Sequence, residues 1–211
     1  MRRTFVILVT GSLLVSTLSA QGTKIVVGLG LGLDVATTPA ENAFGVDGTG
    51  ATILVPIIVS RRTRLQPSLG YLHWSWDGGN TSGPLAMDWR RLSIGLAAHY
   101  LFPIKDAVRA YVGGGAGIGL SKWSEESSGF KGTANWTDWS LHVATGGEYY
   151  LASRFSAGGE VRLEYLSLGA PSVNQVGTPP PLPPDAEFTR TLSVTQTSAQ
   201  VTVRWYFGEV R

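Results

Sequence analysis

The stretch that most constrains the fold is the last predicted strand, Ser198 to Phe207, which reads SAQVTVRWYF. Side chains of an extended chain alternate between two faces. Ala199, Val201, Val203, Trp205 and Phe207 therefore share one face, and Ser198, Gln200, Thr202, Arg204 and Tyr206 the other. A soluble half-buried sheet alternates too, but its apolar face needs a second layer to cover it. No helical period or second layer is evident, and almost every other segment repeats the alternation. The expectation is an all-β chain closed into a barrel, with lipid outside and a polar interior. Closure is required, because an open edge would leave backbone groups unpaired in hydrocarbon.

Composition agrees with short strands and tight turns: 27 Gly, 7 Trp, 7 Tyr and 7 Phe with only 15% charged residues. Arg2 and Arg3 precede an apolar run from Phe5 to Leu18, and the small residues Ser19 and Ala20 follow. This layout predicts a secretory signal peptide over residues 1–20 and a barrel over 21–211. Removing the two arginines lowers the formal net charge from +2 to 0, so a nucleic-acid partner is not expected. The run is short for a helical span of about 20 residues, and no second long apolar run follows. The absence of cysteine removes disulfides and thiol-ligated metals from consideration.

Eight strands are expected. The first covers Lys24 to Ala36, with Ile25, Val27, Leu29, Leu31 and Leu33 outward and Gly28, Gly30, Gly32 and Asp34 inward. The second, Thr52 to Ser60, is apolar on both faces, and Pro56 implies a bulge or irregular pairing. The third runs from Leu65 to Asp77, and a loop then reaches Pro84. The fourth turns Leu92, Ile94, Leu96, Ala98 and Tyr100 outward and Arg91, Ser93 and His99 inward. The fifth places Arg109, Tyr111, four glycines and Ser121 inward. A polar loop over Ser124 to Ala134 is expected before the sixth strand, which turns Asp138, Ser140, His142 and Glu148 inward. The seventh turns Glu160, Arg162 and Glu164 inward, and a Pro-rich loop from Gly169 to Asp185 leads to the closing strand.

Connections alternate between a few residues and longer polar segments, which predicts short periplasmic turns, long outer loops and both termini in the periplasm. Two aromatic girdles are expected. Trp74, Trp76, Trp89, Trp123, Trp136 and Trp139 lie near the long-loop ends, and Tyr100, Phe102, Tyr149, Tyr150, Phe155, Trp205 and Phe207 near the short-turn ends.

The fifth strand AVRAYVGGGAGIGLSKW and the terminal VTVRWYF resemble the bacterial outer-membrane β-barrel family of the OmpA and OmpX type. The resemblance implies location in the outer membrane, contact with its lipid including lipopolysaccharide, and delivery by periplasmic chaperones to the barrel assembly machinery. It also implies an assembly signal in the last strand, carried by Val203, Trp205 and Phe207, although Gly208, Glu209, Val210 and Arg211 follow where such chains often stop. No peptidoglycan-binding domain follows the last strand, so a tether to the cell wall is not expected.

The run GGGAGIG lacks the GxxxxGK[ST] order of a phosphate loop and no helical pattern follows it, so it reads as inward glycine relieving crowding in a narrow barrel. The inward charges Arg91, Arg109, Asp138, Glu148, Glu160, Arg162, Glu164 and Arg204 either line an ion path or neutralise one another in a closed network. Eight strands leave an interior just wide enough for side chains to fill, which favours a plug. His73 and Ser75 form an H-x-S pair that resembles the signature of outer-membrane lipid A deacylases, in which His activates a Ser nucleophile. Trp76 stands where that family has Asn. If Leu72, Trp74 and Trp76 face lipid, then His73, Ser75 and Asp77 face the lumen. Leu65, Pro67, Leu69 and Tyr71 prefer the opposite parity, which requires a bulge near Gly70 or an outward pair. The Pro-rich stretch Thr178 to Asp185 is stiff, and either presents a recognition surface to an extracellular ligand or merely bridges strands.

These readings predict an eight-stranded antiparallel transmembrane barrel of the outer membrane, with no catalytic residues, cofactor or metal. Its expected role is structural or surface-interacting, with a small-conductance channel as the alternative, a soluble ligand-binding barrel third, and a lipid A-modifying enzyme less favoured.

Overall fold

The computed structural model describes residues 25–37, 48–80, 83–127, 130–177 and 192–210. Residues 1–20, where a signal segment is expected, residues 38–47 and the stretch Thr178 to Asp185 lie outside them. The described residues form β1 (Val26–Thr37), β2 (Gly48–Leu54), β3 (Ile57–Ser60), β4 (Thr63–Asn80), β5 (Gly83–Lys105), β6 (Val108–Ser127), β7 (Phe130–Ala152), β8 (Phe155–Leu168), β9 (Ser172–Gly177) and β10 (Leu192–Tyr206).

Neighbouring strands pair antiparallel around one sheet, and β1 pairs β10 from Gly28↔Tyr206 to Thr37↔Thr197, which closes it. β2 and β3 form a single stave. Both face β1 in one continuous register, with Gly30↔Leu54 and Val26↔Ile58. The interruption at Val55 and Pro56 follows from the missing proline N–H, and the Pro56 carbonyl still accepts from Gly28 N at 2.8 Å. Pro56 therefore breaks the strand without shifting its register. β9 continues β8 along the same edge of β7, with Asn135↔Ser172 displaced by one residue from the register of Asp138↔Leu168, so β8 and β9 also form a single stave and eight staves make the wall. This is the closed eight-stranded antiparallel barrel that the alternation predicts.

Three short turns, at Arg61–Arg62, Asp106–Ala107 and Ser153–Arg154, sit at one end. At the other end the expected loops are shorter than the sequence suggests. Gly78 and Gly79 pair with Leu85 and Pro84, and Ser124 to Ser127 pair with Thr133 to Phe130. Both expected loops are thus continuations of their hairpins. Ser172–Gly177, expected within the Pro-rich loop, is β9 on the edge of β7. The first two segments are largely polar or glycine-rich and β9 carries single valines, Val173 and Val176, on opposite faces, so strand pairing satisfies these backbones without an alternating hydrophobic signature.

The period-two partition holds around the wall except on β3, where the consecutive residues Ile58 and Val59 are both buried. Leu33, Ile94, Ile118 and Val201 are 61–69% exposed, while their strand neighbours Gln200, Thr202 and Ser121 are buried. The outward apolar surface runs continuously around the barrel, far beyond the few hundred Å² that a water-soluble monomer tolerates. Inside, the glycines of β6 supply width. A Cβ on Gly115 would stand 2.6 Å from both the His142 ring and the Leu96 carbonyl oxygen, and one on Gly119 would stand 2.7 Å from Arg91 Nε. The glycine run therefore makes room for inward side chains of the adjoining strands, as the sequence implies.

Candidate functional site

The interior is built in layers, each contributed by inward positions on several staves. Nearest the short turns, Val26, Ile58, Leu101, Tyr111, Tyr150 and Tyr206 form a buried apolar and aromatic cluster, with Val210 packed against it. Above it sits Glu148. Its carboxylate accepts from Arg64 Nη1 at 2.9 Å, from the Tyr206 hydroxyl at 2.7 Å and from the Ser156 hydroxyl, with Arg204 Nη1 3.7 Å away. The side chains of Arg64, Glu148 and Arg204 are fully buried. Burial of this kind costs several kcal/mol per ion unless the charges meet, which explains why two guanidinium groups converge on one carboxylate.

The next layer joins Glu160, paired with Arg162 and 3.5 Å from His99 Nε2. Arg162 also donates to Gln200 Oε1 at 2.9 Å and lies 3.9 Å from Asp34. Asp34 in turn accepts from Thr52 Oγ1 at 2.5 Å and Gln200 Nε2 at 2.7 Å. Higher still, Arg91 meets Asp138 at 2.7 Å and Glu164 at 3.8 Å, the Ser121 hydroxyl donates to Asp138 at 2.6 Å, and Gln196 donates to Glu164 at 2.6 Å. A polar cavity of about 100 Å³ lies in this upper half, lined by Asp34, Thr52, Arg91, His142, Arg162 and Glu164 among others.

Seven of the eight sequence-predicted charges thus meet partners inside the barrel. Arg109 does not join them. Its guanidinium bonds the Val210 carbonyl and lies over the Tyr150 ring, 4.9 Å from the centroid, so it anchors the C-terminal tail. Sequence reasoning missed Arg64, because it directly follows the turn residues Arg61 to Thr63 and was absorbed into that turn. The burial of Gln66 two positions on, on the same face, shows the parity that identifies it. Val203, Trp205 and Phe207 point outward and are 42–68% exposed.

The aromatic girdles differ from expectation at the long-hairpin end. Trp74, Trp89, Trp123 and Trp136 take the inward parity, alternating with the exposed residues His73, Arg90, Lys122 and Asn135. Trp89 is 4% exposed, and the Trp74 and Trp123 rings stack at 5.7 Å. These indoles crowd the mouth of the barrel. The outward aromatics there are Tyr71, Trp139 and Tyr165, the last two 5.7 Å apart. Trp76 and Asp77 have no described side chains. At the opposite end Tyr100, Phe102, Tyr149, Trp205 and Phe207 form the expected outward belt, whereas Tyr150 turns inward and is 1% exposed.

His73 and Ser75 are outward. β4 and β5 pair without a register shift through Leu69↔Ile94, Tyr71↔Leu92, His73↔Arg90 and Ser75↔Asp88, so no bulge forms near Gly70 and the pair shares the face of Tyr71. His73 Nε2 lies 2.6 Å from Asp88 Oδ2, and Arg90 Nε lies 2.8 Å from Asp88 Oδ1. Among the described residues no group of three His, Cys, Asp or Glu side chains is placed to hold a metal ion.

The comparisons with known proteins agree with this architecture. The family described as "Outer membrane protein beta-barrel domain" matches residues 5–207. The surface protein NspA of Neisseria is similar in structure at TM-score 0.52 and 17% identity, over 87% of this chain and 97% of that one. A major outer membrane protein from Thermus thermophilus is similar at TM-score 0.60 and 9% identity, over 87% and 99%. No curated protein sequence matches the chain. The polar interior, the continuous apolar exterior and the family match over nearly the whole length together make this chain a member of the bacterial outer-membrane β-barrel family.

Proposed function

We propose that the protein is a structural and surface-interacting barrel whose lumen is plugged, with both termini in the periplasm and the long hairpins outside the cell. One observation carries the reading. Across the short-turn half of the lumen, Arg64, Glu148, Arg204, Tyr111, Tyr150, Tyr206, Leu54 and Leu101 are each at most 2% exposed. An ion crossing this layer would have to separate Glu148 from its two guanidinium partners in a low-dielectric interior. The upper cavity is then a dead end, and interaction falls to the hairpins and loops at its rim.

The partners that follow are outer-membrane lipid including lipopolysaccharide, an extracellular ligand held by the hairpins, and the assembly machinery and chaperones during biogenesis. Val203, Trp205 and Phe207 would carry the assembly signal on the lipid face of the closing strand. Single-channel recording on the folded chain in planar bilayers tests the plug. Silence is expected from wild type, and Glu160→Gln should leave it silent. Steady unitary conductance altered by Glu160→Gln would favour the channel instead.

A further inference from the structure

The upper half of the lumen combines a polar hollow with an aromatic mouth. Ser68 and Gly70 on β4, Ser93 and Gly95 on β5, Gly117 on β6 and Ser140 on β7 all line the polar cavity. They fall in two successive inward rows, Ser68, Gly95, Gly117 and Ser140 in one and Gly70 and Ser93 in the next, so small side chains on four neighbouring staves open the space. Its volume of about 100 Å³ takes several waters or one small group, at about 10–15 Å³ for each water position. The row above holds Leu72, Arg91 and Trp136, and the row above that Trp74, Trp89 and Trp123. The Trp74 and Trp123 rings stack 5.7 Å apart and 18° from parallel across the strand that carries Trp89, which makes a flat indole slab over the cavity rim.

Charge decides what the hollow accepts. The lining carries two carboxylates and two guanidinium groups, and each already has a partner. Asp34 accepts from Thr52 and Gln200, Glu164 accepts from Gln196, Arg91 meets Asp138, and Arg162 meets Glu160. An ionic ligand would have to break one of these pairs to be held. A neutral ligand rich in hydroxyls would not, because each hydroxyl donates once and accepts twice and so serves spare carboxylate lone pairs and serine hydroxyls alike. Among the described residues no partner reaches the buried His142 Nε2, which lines the cavity, or the buried Nε1 of Trp89 and Trp136 at its rim. Polar groups left this way cost free energy that a ligand hydroxyl recovers. The indole faces complete the set, since they are flat and electron-rich and suit the C–H face of a pyranose ring.

We propose that this vestibule binds the end of a neutral oligosaccharide. The terminal sugar enters the cavity past Arg91, toward Ser140 and His142, and a following sugar lies on the Trp74 and Trp123 slab. Four residues of strand separate the Ser93 row from the indole row, about 13 Å, which suits a chain of two or three sugars rather than one. The buried layer of Arg64, Glu148 and Arg204 beneath stops the chain from passing. The inference rests on the plugged, outward-opening lumen given under Proposed function.

The test uses the folded chain in phosphatidylcholine vesicles, free of sugar-headed detergent, with neutral mono-, di- and trisaccharides of glucose, galactose and mannose, and with gluconate and glucosamine as charged comparators. Tryptophan emission and calorimetry read binding. At least one neutral di- or trisaccharide is expected to bind with a Kd of about 1 mM or tighter, about 10-fold tighter than its monosaccharide or either charged comparator. On the unaltered chain the bound sugar should also reduce acrylamide quenching of the indoles. Trp74→Ala and His142→Phe should each weaken binding about 10-fold, and Trp139→Phe on the lipid face should leave it unchanged. Variants are scored only as folded, heat-modifiable barrels. No saturable binding across the neutral sugars would mean that the cavity holds water only and would overturn the site with the plug intact. Gluconate bound as tightly as the neutral sugars would overturn the ligand class. Trisaccharide trapped inside the vesicles is expected to stay there, and its escape through the protein would overturn the plug itself. Whole-cell labelling of Glu126→Cys reports the orientation separately, so a failure of the parent reading is distinguishable from a failure of the site.

Discussion

Replacing Glu148 with glutamine is expected to destabilise the barrel by about 3–5 kcal/mol, the largest effect of any conservative interior change. The glutamine keeps the volume and one acceptor but removes the charge on which Arg64 and Arg204 converge, leaving two fully buried guanidinium groups without a counter-ion. Urea titration in lipid vesicles, followed by tryptophan fluorescence, measures the loss as a lower unfolding midpoint. Glu126→Gln is the control. Its partner Lys131 is 61% exposed and Glu126 itself 66%, so water screens the pair and the change should stay within about 1 kcal/mol. Adding Arg64→Met to Glu148→Gln should recover part of the loss, because one unpaired charge then disappears. An unchanged midpoint for Glu148→Gln would mean that water already solvates this layer, and the plug would fail with it.

The second large effect is expected on the outside. Leu96 is 54% exposed and stands near the middle of the outward run from Leu92 to Phe102, paired with Pro67 and Ala116. Leu96→Arg should cost about 2–4 kcal/mol in a bilayer, because the guanidinium must reach water from near the midplane. Tyr71→Arg, at the edge of the band, should cost no more than about 1 kcal/mol. Reversible unfolding from vesicles reads both. In a barrel surrounded by water the same exposed leucine would accept arginine at almost no cost, so equal midpoints for Leu96→Arg and wild type would reject the lipid-facing reading.

Most of the wall was legible because lipid imposes the alternation on every stave. Val27, Leu29, Leu31 and Leu33 announce β1 without help, and the inward glycines between them leave no second reading. Pro56 is recognisable as a disturbance, but its form, an interruption in an unbroken register, depends on where the partner carbonyls fall. Legibility failed where lipid no longer selects. Above Arg91, Ser121 and Asp138 the parity continues to Trp89, Trp123 and Trp136, and it alone would have sent these indoles inward. The expectation of an aromatic girdle overrode it. Likewise the hairpin extensions at Gly78–Pro84 and Ser124–Ala134 carry polar residues on both faces, so only their pairing reveals them.

The interior charges were legible as a set and not as pairs. Alternation places Glu148, Glu160 and Arg162 inward, yet which cation reaches which carboxylate depends on residues far apart in the chain, such as Arg64 and Glu148. Arg109 shows the limit of the argument. It has inward parity and sits opposite Glu148 in register, but at the rim its long side chain reaches the Val210 carbonyl and the Tyr150 ring instead. For His73 and Ser75 the sequence offered two parities, and the unshifted register from Leu69 to Ser75 decides between them.

The central claim is that one face of every stave meets hydrocarbon and the other a sealed interior. The chain has no cysteine, so single cysteines can be placed in turn from position 91 to 101 of β5 and spin-labelled in vesicles. Collision with dissolved oxygen and with a water-soluble nickel complex then reports each environment. Oxygen accessibility is predicted to peak at 92, 94, 96, 98 and 100, with the nickel complex excluded from those positions and little contact with either agent at 91, 97, 99 and 101. Accessibility to nickel at the first set, or an absence of alternation, would contradict the account.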